Sequence, residues 1–318
     1  MDVIREELGK FEKFILKSMS SNVPFIDEVS KYVMGGGGKR IRPALVILSA
    51  RVCNYRGRKT IPYAAIVELI HTATLLHDDV LDNAKIRRGR PSVNELWGNE
   101  QSVLLGDFFY SKAVEIVSKY GDKEVIRIIS RATTEVTKGE ILEVLRTGDL
   151  DLKEEEYFEI VGFKTASLFG AACEMGALLA KKGKDTRETF RRFGEKLGFA
   201  FQLTDDVLDY VSEERTLGKK IGTDLKERKV TLPLILALKS STKAERRMVE
   251  LIFKKTRINS KDFLAVKDFI EKRNGFIETY KIAKTFIEEA KDCIKGIPFS
   301  PYKESLLKLC DLIPERKS

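Results

Sequence analysis

Residues 66–82 read IVELIHTATLLHDDVLD, and the last five letters return, unchanged, as Asp205 to Asp209. In the first copy Ile66, Val67, Leu69, Ile70, Ala73, Leu75 and Leu76 recur at helical spacing and run straight into three aspartates. On such a helix Asp78 and Asp82 share one stripe, one turn apart, with Asp79 rotated by about 100° and Val80 and Leu81 directed elsewhere. The likeness is local: LLHDDVLDNAKIRRG and QLTDDVLDYVSEERT diverge once the pentapeptide ends, which argues against stacked repeat units.

A helix C-terminus disfavours each added negative charge by about 0.3–1 kcal/mol. Close carboxylates in a partly buried cleft raise one another's pKa unless a cation keeps them ionised. One such cluster alone would read as a solvated acidic helix end. Two identical copies, each flanked by apolar residues, point instead to hard cations, and Mg²⁺ is commonly held by one or two carboxylates together with waters and substrate phosphates. Facing each other, the clusters Asp78, Asp79, Asp82 and Asp205, Asp206, Asp209 would clamp a diphosphate through Mg²⁺.

The rest of the chain carries the same period. Phe11, Phe14, Ile15 and Met19, and again Leu306, Leu307, Leu309 and Leu312, fall at three- and four-residue spacing. No strand alternation bounded by hairpin turns is expected. Asp151 with Glu154 reads as a helix start, Gly121, Gly148 and Gly183 as helix ends, and Pro43, Pro62, Pro91 and Pro233 as first-turn prolines. The fold class is all-α: a single-domain bundle of roughly ten or more helices spanning 1–318, with SSTKAERR at 240–247 the best place for a soft boundary.

Composition narrows the partners. Of 318 residues 43% are hydrophobic and 33% charged, which suits a chain with a sizeable core. The apolar runs TLPLILAL and LFGAACEMGALLA are too short to span a bilayer. The charged N-terminus MDVIREELGKFEKF lacks the apolar core of a signal peptide, so a cytoplasmic location is expected. Four scattered cysteines without a CxxC pair, and two histidines, argue against zinc and disulfides. The net charge of +9 gathers in glycine-bearing loops, GGGGKRIRP at 35–43 and KIRRGRP at 85–91, and no nucleic-acid-binding signature accompanies it. That distribution favours a phosphate site over a nucleic-acid surface.

Several cations stand ready for such a site. Arg87 and Arg88 follow the first aspartate cluster, and Lys219 and Lys229 follow the second. The glycines before Lys39 and Arg42 could bring backbone N–H groups to an anion, although GGGGKR is not a Walker A loop and could equally be an ordinary turn. Lys164 lies among small apolar residues (Ala166, Gly170, Ala171), where burial without an anion is costly.

GGGGKRIRP, HTATLLHDDVLDNAKIRRGRPS, GDFFYSKA, FKTASLF, AFQLTDDVLDY and GKKIGTDLKERKVTLPLILAL together resemble, in order and spacing, the trans-isoprenyl diphosphate synthases, or polyprenyl synthetases, over nearly the whole chain. The resemblance implies helices around a deep central cavity, a homodimer, and condensation of isopentenyl diphosphate with an allylic diphosphate such as farnesyl or geranylgeranyl diphosphate. It implies that Asp78, Asp82 and Asp205 bind Mg²⁺, supported by Asp79, Asp206 and Asp209. Arg87, Lys164, Lys219 and Lys229 would hold the allylic diphosphate, and Lys39, Arg42, His71 and Arg88 the isopentenyl diphosphate. Thr165 and Gln202 would face the developing carbocation.

Ala73 and Thr74 stand about one turn before Asp78, one step deeper if the aspartates line the cavity mouth. Short-chain family members commonly carry a blocking aromatic ring at the position of Ala73. Its absence, and the likeness of HTATLLHDDV to the octaprenyl-type branch, predict a product of about C40, with about C35 or about C50 as neighbouring outcomes. The alternatives are a geranylgeranyl diphosphate synthase, if other side chains fill the space below Ala73, and a non-catalytic partner subunit. A terpene cyclase fits poorly, because it has no use for the Lys39, Arg42 and His71 set. A very apolar product leaves peripheral membrane contact open.

Overall fold

The computed structural model describes residues 2–212 and 222–314. Helices follow the apolar period: α1 (Arg5–Ser18), α2 (Pro24–Gly35), α3 (Ile41–Val52), α4 (Thr60–Leu81), α5 (Val93–Trp97), α6 (Asn99–Tyr120), α7 (Lys123–Leu145), α8 (Glu154–Val161), α9 (Ser167–Leu179), α10 (Lys184–Val211), α11 (Thr223–Lys226), α12 (Leu232–Lys239), α13 (Lys243–Phe253), α14 (Ser260–Lys272), α15 (Gly275–Cys293) and α16 (Pro301–Leu312). The fold is all-α. No described helix is long and apolar enough to cross a membrane.

Helices α3, α4 and α9 are apolar nearly all round, as expected of helices buried on several sides. Helix α4 packs against α3 and α6, and α9 lies between α3 and α10. Two apolar clusters form. The first gathers α1 to α4, α6, α7, α9 and the chain's last helix; the second gathers α8 and the helices from α11 to α15. Helix α10 belongs to both, giving Phe190, Phe193 and Leu197 to one and Leu203, Val207 and Tyr210 to the other. Its changeover falls between Ala200 and Leu203, within about a turn before the second pentapeptide, so that acidic helix end sits close to where the two clusters meet.

Several local expectations are corrected. A two-stranded antiparallel hairpin pairs Ile86 with Pro91 and Arg87 with Arg90. Its two turn residues, Arg88 (φ 53°) and Gly89 (φ 74°), have the left-handed backbone of a tight two-residue turn. Pro91 therefore lies in a strand. Helix α8 starts at Glu154 with its cap at Lys153, whose N–H is accepted by Glu156, and Asp151 instead pairs with Arg246. Gly183 precedes α10 rather than ending α9. The stretch at 240–247 is a helix start: the Thr242 N–H donates to Glu245 at 2.8 Å, and the Thr242 hydroxyl accepts from the Glu245 N–H at 3.3 Å.

Between α8 and α9 the chain makes one π-helical turn, Gly162–Ala166, in which the Ser167 N–H reaches back to the Gly162 carbonyl. This wider turn carries Lys164 and Thr165, and such insertions are frequent at functional sites. Helix α7 approaches it at Gly139, where a Cβ would lie 2.5 Å from the Lys164 backbone nitrogen. Only glycine permits that approach.

Candidate active site

The close contact at Gly139 decides what Lys164 touches. Its Nζ lies 2.9 Å from Glu140 and 2.6 Å from Glu143, both on α7. The sequence demanded an anion for a buried Lys164; these two carboxylates supply it. Burial alone would lower the ammonium pKa, but Glu143, Asp78 and Glu140 override it and hold Lys164 well above its ordinary value. Glu143 also lies 3.4 Å from Lys229, which in turn sits 2.9 Å from Asp82 and 3.0 Å from Glu227. Lys229, downstream of the second aspartate cluster, thus reaches the first. Burial opposes its charge as well, and Glu143, Glu227 and Asp82 raise its pKa.

The carboxylates are not equivalent. Asp78 is raised by burial, with Asp82 and Glu143 adding to the rise and Lys164 opposing it. Glu140 is pushed up to about 7, burial being the main cause and Lys164 opposing it. Glu143 experiences the same burial, yet Lys164 and Lys229 together hold it below its ordinary value. A deeply placed group of carboxylates stays charged only where cations neutralise it.

Asp79 and Asp206 are taken up by neighbouring side chains. Asp79 is 2% exposed and accepts from Nε of Arg87 at 2.7 Å. Asp206, also 2% exposed, accepts from the Tyr157 hydroxyl and from Nε2 of Gln202 at 2.8 Å, and burial pushes it up to about 7. Oε1 of Gln202 accepts from the Thr165 hydroxyl at 2.8 Å. Asp209 turns to the backbone, its carboxylate accepting the N–H groups of Thr223 (3.2 Å) and Asp224 (3.1 Å) at the start of α11. Tyr157, Lys164, Thr165, Gln202, Asp206, Glu143 and Lys229 all line one open cavity of about 470 Å³.

A second set of cations gathers where the glycine loop meets the hairpin. The Arg88 guanidinium donates to the Gly37 carbonyl. Arg40, in left-handed backbone at the start of α3, is held by Glu12 and by the buried Glu68, each at 2.7 Å. Arg42 lies over the Phe169 ring, 4.6 Å from its centroid, and its buried Nε has no hydrogen-bond partner among the described residues. Burial lowers Arg42 to about 10, with Arg88 adding to the fall while Glu68 and Asp205 oppose it. His71 is held well below its ordinary pKa by burial and then by Arg42, Arg88, Arg87 and Arg40, so it is neutral near pH 7. Lys39 is exposed at the end of the same loop.

Of the residues singled out in the sequence, Asp78, Asp82, Lys164, Thr165, Gln202, Asp206 and Lys229 fall in one neighbourhood. Arg42, His71 and Arg88 fall in a second, which the charge of Asp205 reaches through Arg42, and Arg87 faces both. Lys219 lies outside the described residues. Ala73 is buried in the first apolar cluster, and Thr74 turns its hydroxyl to the His71 carbonyl at 2.9 Å. Glu140, Glu143 and Tyr157 went unread as site residues. For the two glutamates the sequence signal is indirect, namely that a buried Lys164 requires carboxylates nearby; Tyr157 has none.

Among the described residues no three carboxylate, imidazole or thiol groups converge as a ready-made metal cage. The donor chemistry nevertheless suits Mg²⁺, which takes few protein oxygens and fills its octahedron with water and phosphate. Burial and the neighbouring carboxylates Asp82 and Glu143 disfavour the charged form of Asp78, and a cation bound beside it would stabilise that form.

This chain belongs to the polyprenyl synthetase family, whose model matches residues 23–269. It is 35% identical to octaprenyl diphosphate synthase of Escherichia coli (strain K12) over 99% of this chain and 97% of that protein. It is 37% identical to the all-trans-nonaprenyl-diphosphate synthase (geranyl-diphosphate specific) of Rhodobacter capsulatus, over 98% of this chain and 96% of the relative. In structure it is similar to the polyprenyl synthase of Caulobacter crescentus CB15 complexed with calcium and isoprenyl diphosphate, with a TM-score of 0.97 and 35% identity, covering 100% of this chain and 97% of that one.

Proposed function

We propose that the protein condenses isopentenyl diphosphate repeatedly with an allylic diphosphate to build an all-trans long-chain polyprenyl diphosphate. The carrying observation is the pair Lys229–Asp82, which closes the region after the second DDVLD onto the first and leaves Lys164 and Glu143 on the same cavity. Full-length identity to octaprenyl and nonaprenyl diphosphate synthases supports the long product. A structural neighbour holding calcium with isoprenyl diphosphate supports a divalent ion, here Mg²⁺.

In this reading Asp78, Asp82 and Asp205 hold Mg²⁺, which when bound neutralises the allylic diphosphate and makes it a better leaving group. Lys164, Lys229, Arg87 and Lys219 bind the same diphosphate. As it enters, its oxygens replace Glu140, Glu143 and Asp82 as partners of the two lysines. The C–O bond breaks, the electron pair leaves with the diphosphate, and the allylic cation faces the oxygens of Thr165 and Gln202. Lys39, Arg42, His71 and Arg88 hold isopentenyl diphosphate, and the orphaned Nε of Arg42 gains a phosphate partner. The isopentenyl double bond attacks the cation, and a proton then passes to the released diphosphate and leaves a new double bond, so no side-chain nucleophile is needed. Growth proceeds past Ala73 and Thr74 into the apolar interior.

Residues 1–318 act as one catalytic domain and pair as a homodimer. Val103, Leu104, Tyr110 and Val114 on α6, and Ile141 and Leu145 on α7, are exposed apolar side chains available to that pairing. The enzyme works in the cytoplasm, and its apolar product leaves by peripheral contact with a membrane.

The test is incubation with radiolabelled isopentenyl diphosphate and farnesyl diphosphate, with Mg²⁺ or with EDTA, reading product length by reversed-phase chromatography. The expected result is a Mg²⁺-dependent ladder ending near octaprenyl. A stop at geranylgeranyl would give the short-chain alternative, and no product with any allylic primer would favour a non-catalytic subunit.

A further inference from the structure

The hydrogen bonds along this wall of the cavity converge on Asp206. The Tyr157 hydroxyl, 4% exposed, donates to Oδ2 of Asp206; Nε2 of Gln202 donates to Oδ1 of Asp206; the Thr165 hydroxyl donates to Oε1 of Gln202. An amide can present either end with almost the same shape, and here its nitrogen meets a carboxylate oxygen while its oxygen meets a hydroxyl donor. Asp206 therefore fixes which way Gln202 faces: nitrogen toward the carboxylate, oxygen toward Thr165 and the cavity. Tyr157 fixes Asp206 in turn, by occupying the oxygen that Gln202 leaves.

Both Asp206 oxygens thus accept hydrogen bonds from neutral donors, and the residue is 2% exposed. Its position is that of a group that orients a neighbour rather than one that meets a metal ion. The orientation matters electrostatically. An amide oxygen stabilises positive charge growing beside it, and a flipped amide would direct N–H groups at the same charge.

We propose that Tyr157 is a positioning residue for allylic ionisation, acting through Asp206 to keep the Gln202 amide oxygen turned toward the reacting carbons. This rests on the prenyl-transfer reading above. It adds a residue to that reading and moves Asp206 out of the metal set. Losing the Tyr157 hydroxyl leaves the carboxylate free to rotate, and Gln202 then samples the wrong face. Binding of either diphosphate is expected to hold, because Tyr157 and Gln202 make their hydrogen bonds to Asp206 and Thr165 and to none of the diphosphate-binding cations.

The experiment compares kcat, both KM values and the Mg²⁺ half-saturation for the wild type, Tyr157→Phe, Gln202→Leu and the double variant. Tyr157→Phe is expected to lower kcat about tenfold with KM values and Mg²⁺ half-saturation within about twofold, and to add no further loss on top of Gln202→Leu. An unchanged kcat, or an equal further loss in the Gln202→Leu background, would overturn the proposal. If Tyr157→Phe fails to fold, Asp206→Asn takes its place: a fall in kcat at constant Mg²⁺ half-saturation supports positioning, and a large rise in that half-saturation returns Asp206 to the metal set and sinks the idea. Wild-type protein that makes no product under these conditions would instead defeat the prenyl-transfer reading itself.

Discussion

Asp79 and Asp206 are the second letter of the same pentapeptide, each 2% exposed, and they live in opposite electrostatic surroundings. Asp79 is paired with a guanidinium, Arg87, delivered by the hairpin eight residues downstream. Asp206 meets only neutral donors, a phenol and an amide, and burial lifts it to about 7. The outer letters diverge too. Asp82 is paired with Lys229, whereas Asp209 spends its carboxylate on the backbone of α11. Identical letters on identical helix ends thus acquire different roles because partners from elsewhere in the chain reach them differently.

The comparison can be broken most severely at the first letter. Asp78→Ala should lower kcat by on the order of 10³-fold at saturating Mg²⁺, since it removes charge aimed at the leaving group. Steady-state rates close to wild type would remove Asp78 from the metal set.

Next come the second letters. Asp79→Asn removes the carboxylate paired with the half-buried Arg87, which Asp78 and Asp82 also face, and should cost about 2–3 kcal/mol. Asp206→Asn loses hydrogen bonds to neutral donors and should cost about 1–2 kcal/mol. Urea denaturation measures both, and equal losses would mean that the two sites are electrostatically alike.

The product side sharpens the picture further. Ala73→Tyr should shorten the product while turnover survives, at an overpacking cost of about 1–3 kcal/mol because Ala73 is buried. An unchanged product distribution would show that the growing chain does not pass Ala73.

A pH-dependent effect concerns Glu140. Its folded-state pKa is raised from 4.5 to about 7, so the group penalises the folded state when ionised. The penalty is absent below its unfolded value and grows as pH rises from 4.5 to about 7. The Tm of Glu140→Gln, relative to wild type, should accordingly be higher at pH 8 than at pH 5. Parallel Tm curves for the two proteins would remove the burial argument for Glu140.

Much of this was legible before any coordinates. The helical period of α4 and α10, the acidic ends of both and the cations that follow them lie in contiguous letters. The hairpin at 86–91 was not, because the left-handed turn at Arg88 and Gly89 gives only a two-residue ladder with no alternation to read. Glu140, Glu143 and Tyr157 carry no site signal in their own stretches of sequence. Each gained its role only when a distant segment came within hydrogen-bond reach.

The sequence by itself determined the helices, the two aspartate clusters and the need for counter-charges, since periodicity and local charge depend on neighbours along the chain. Tertiary structure alone decided which aspartate meets an arginine, which meets a tyrosine and which caps a helix. Hydrogen bonds and desolvation act over a few ångströms of space, and the partners they select here stand up to 147 residues apart.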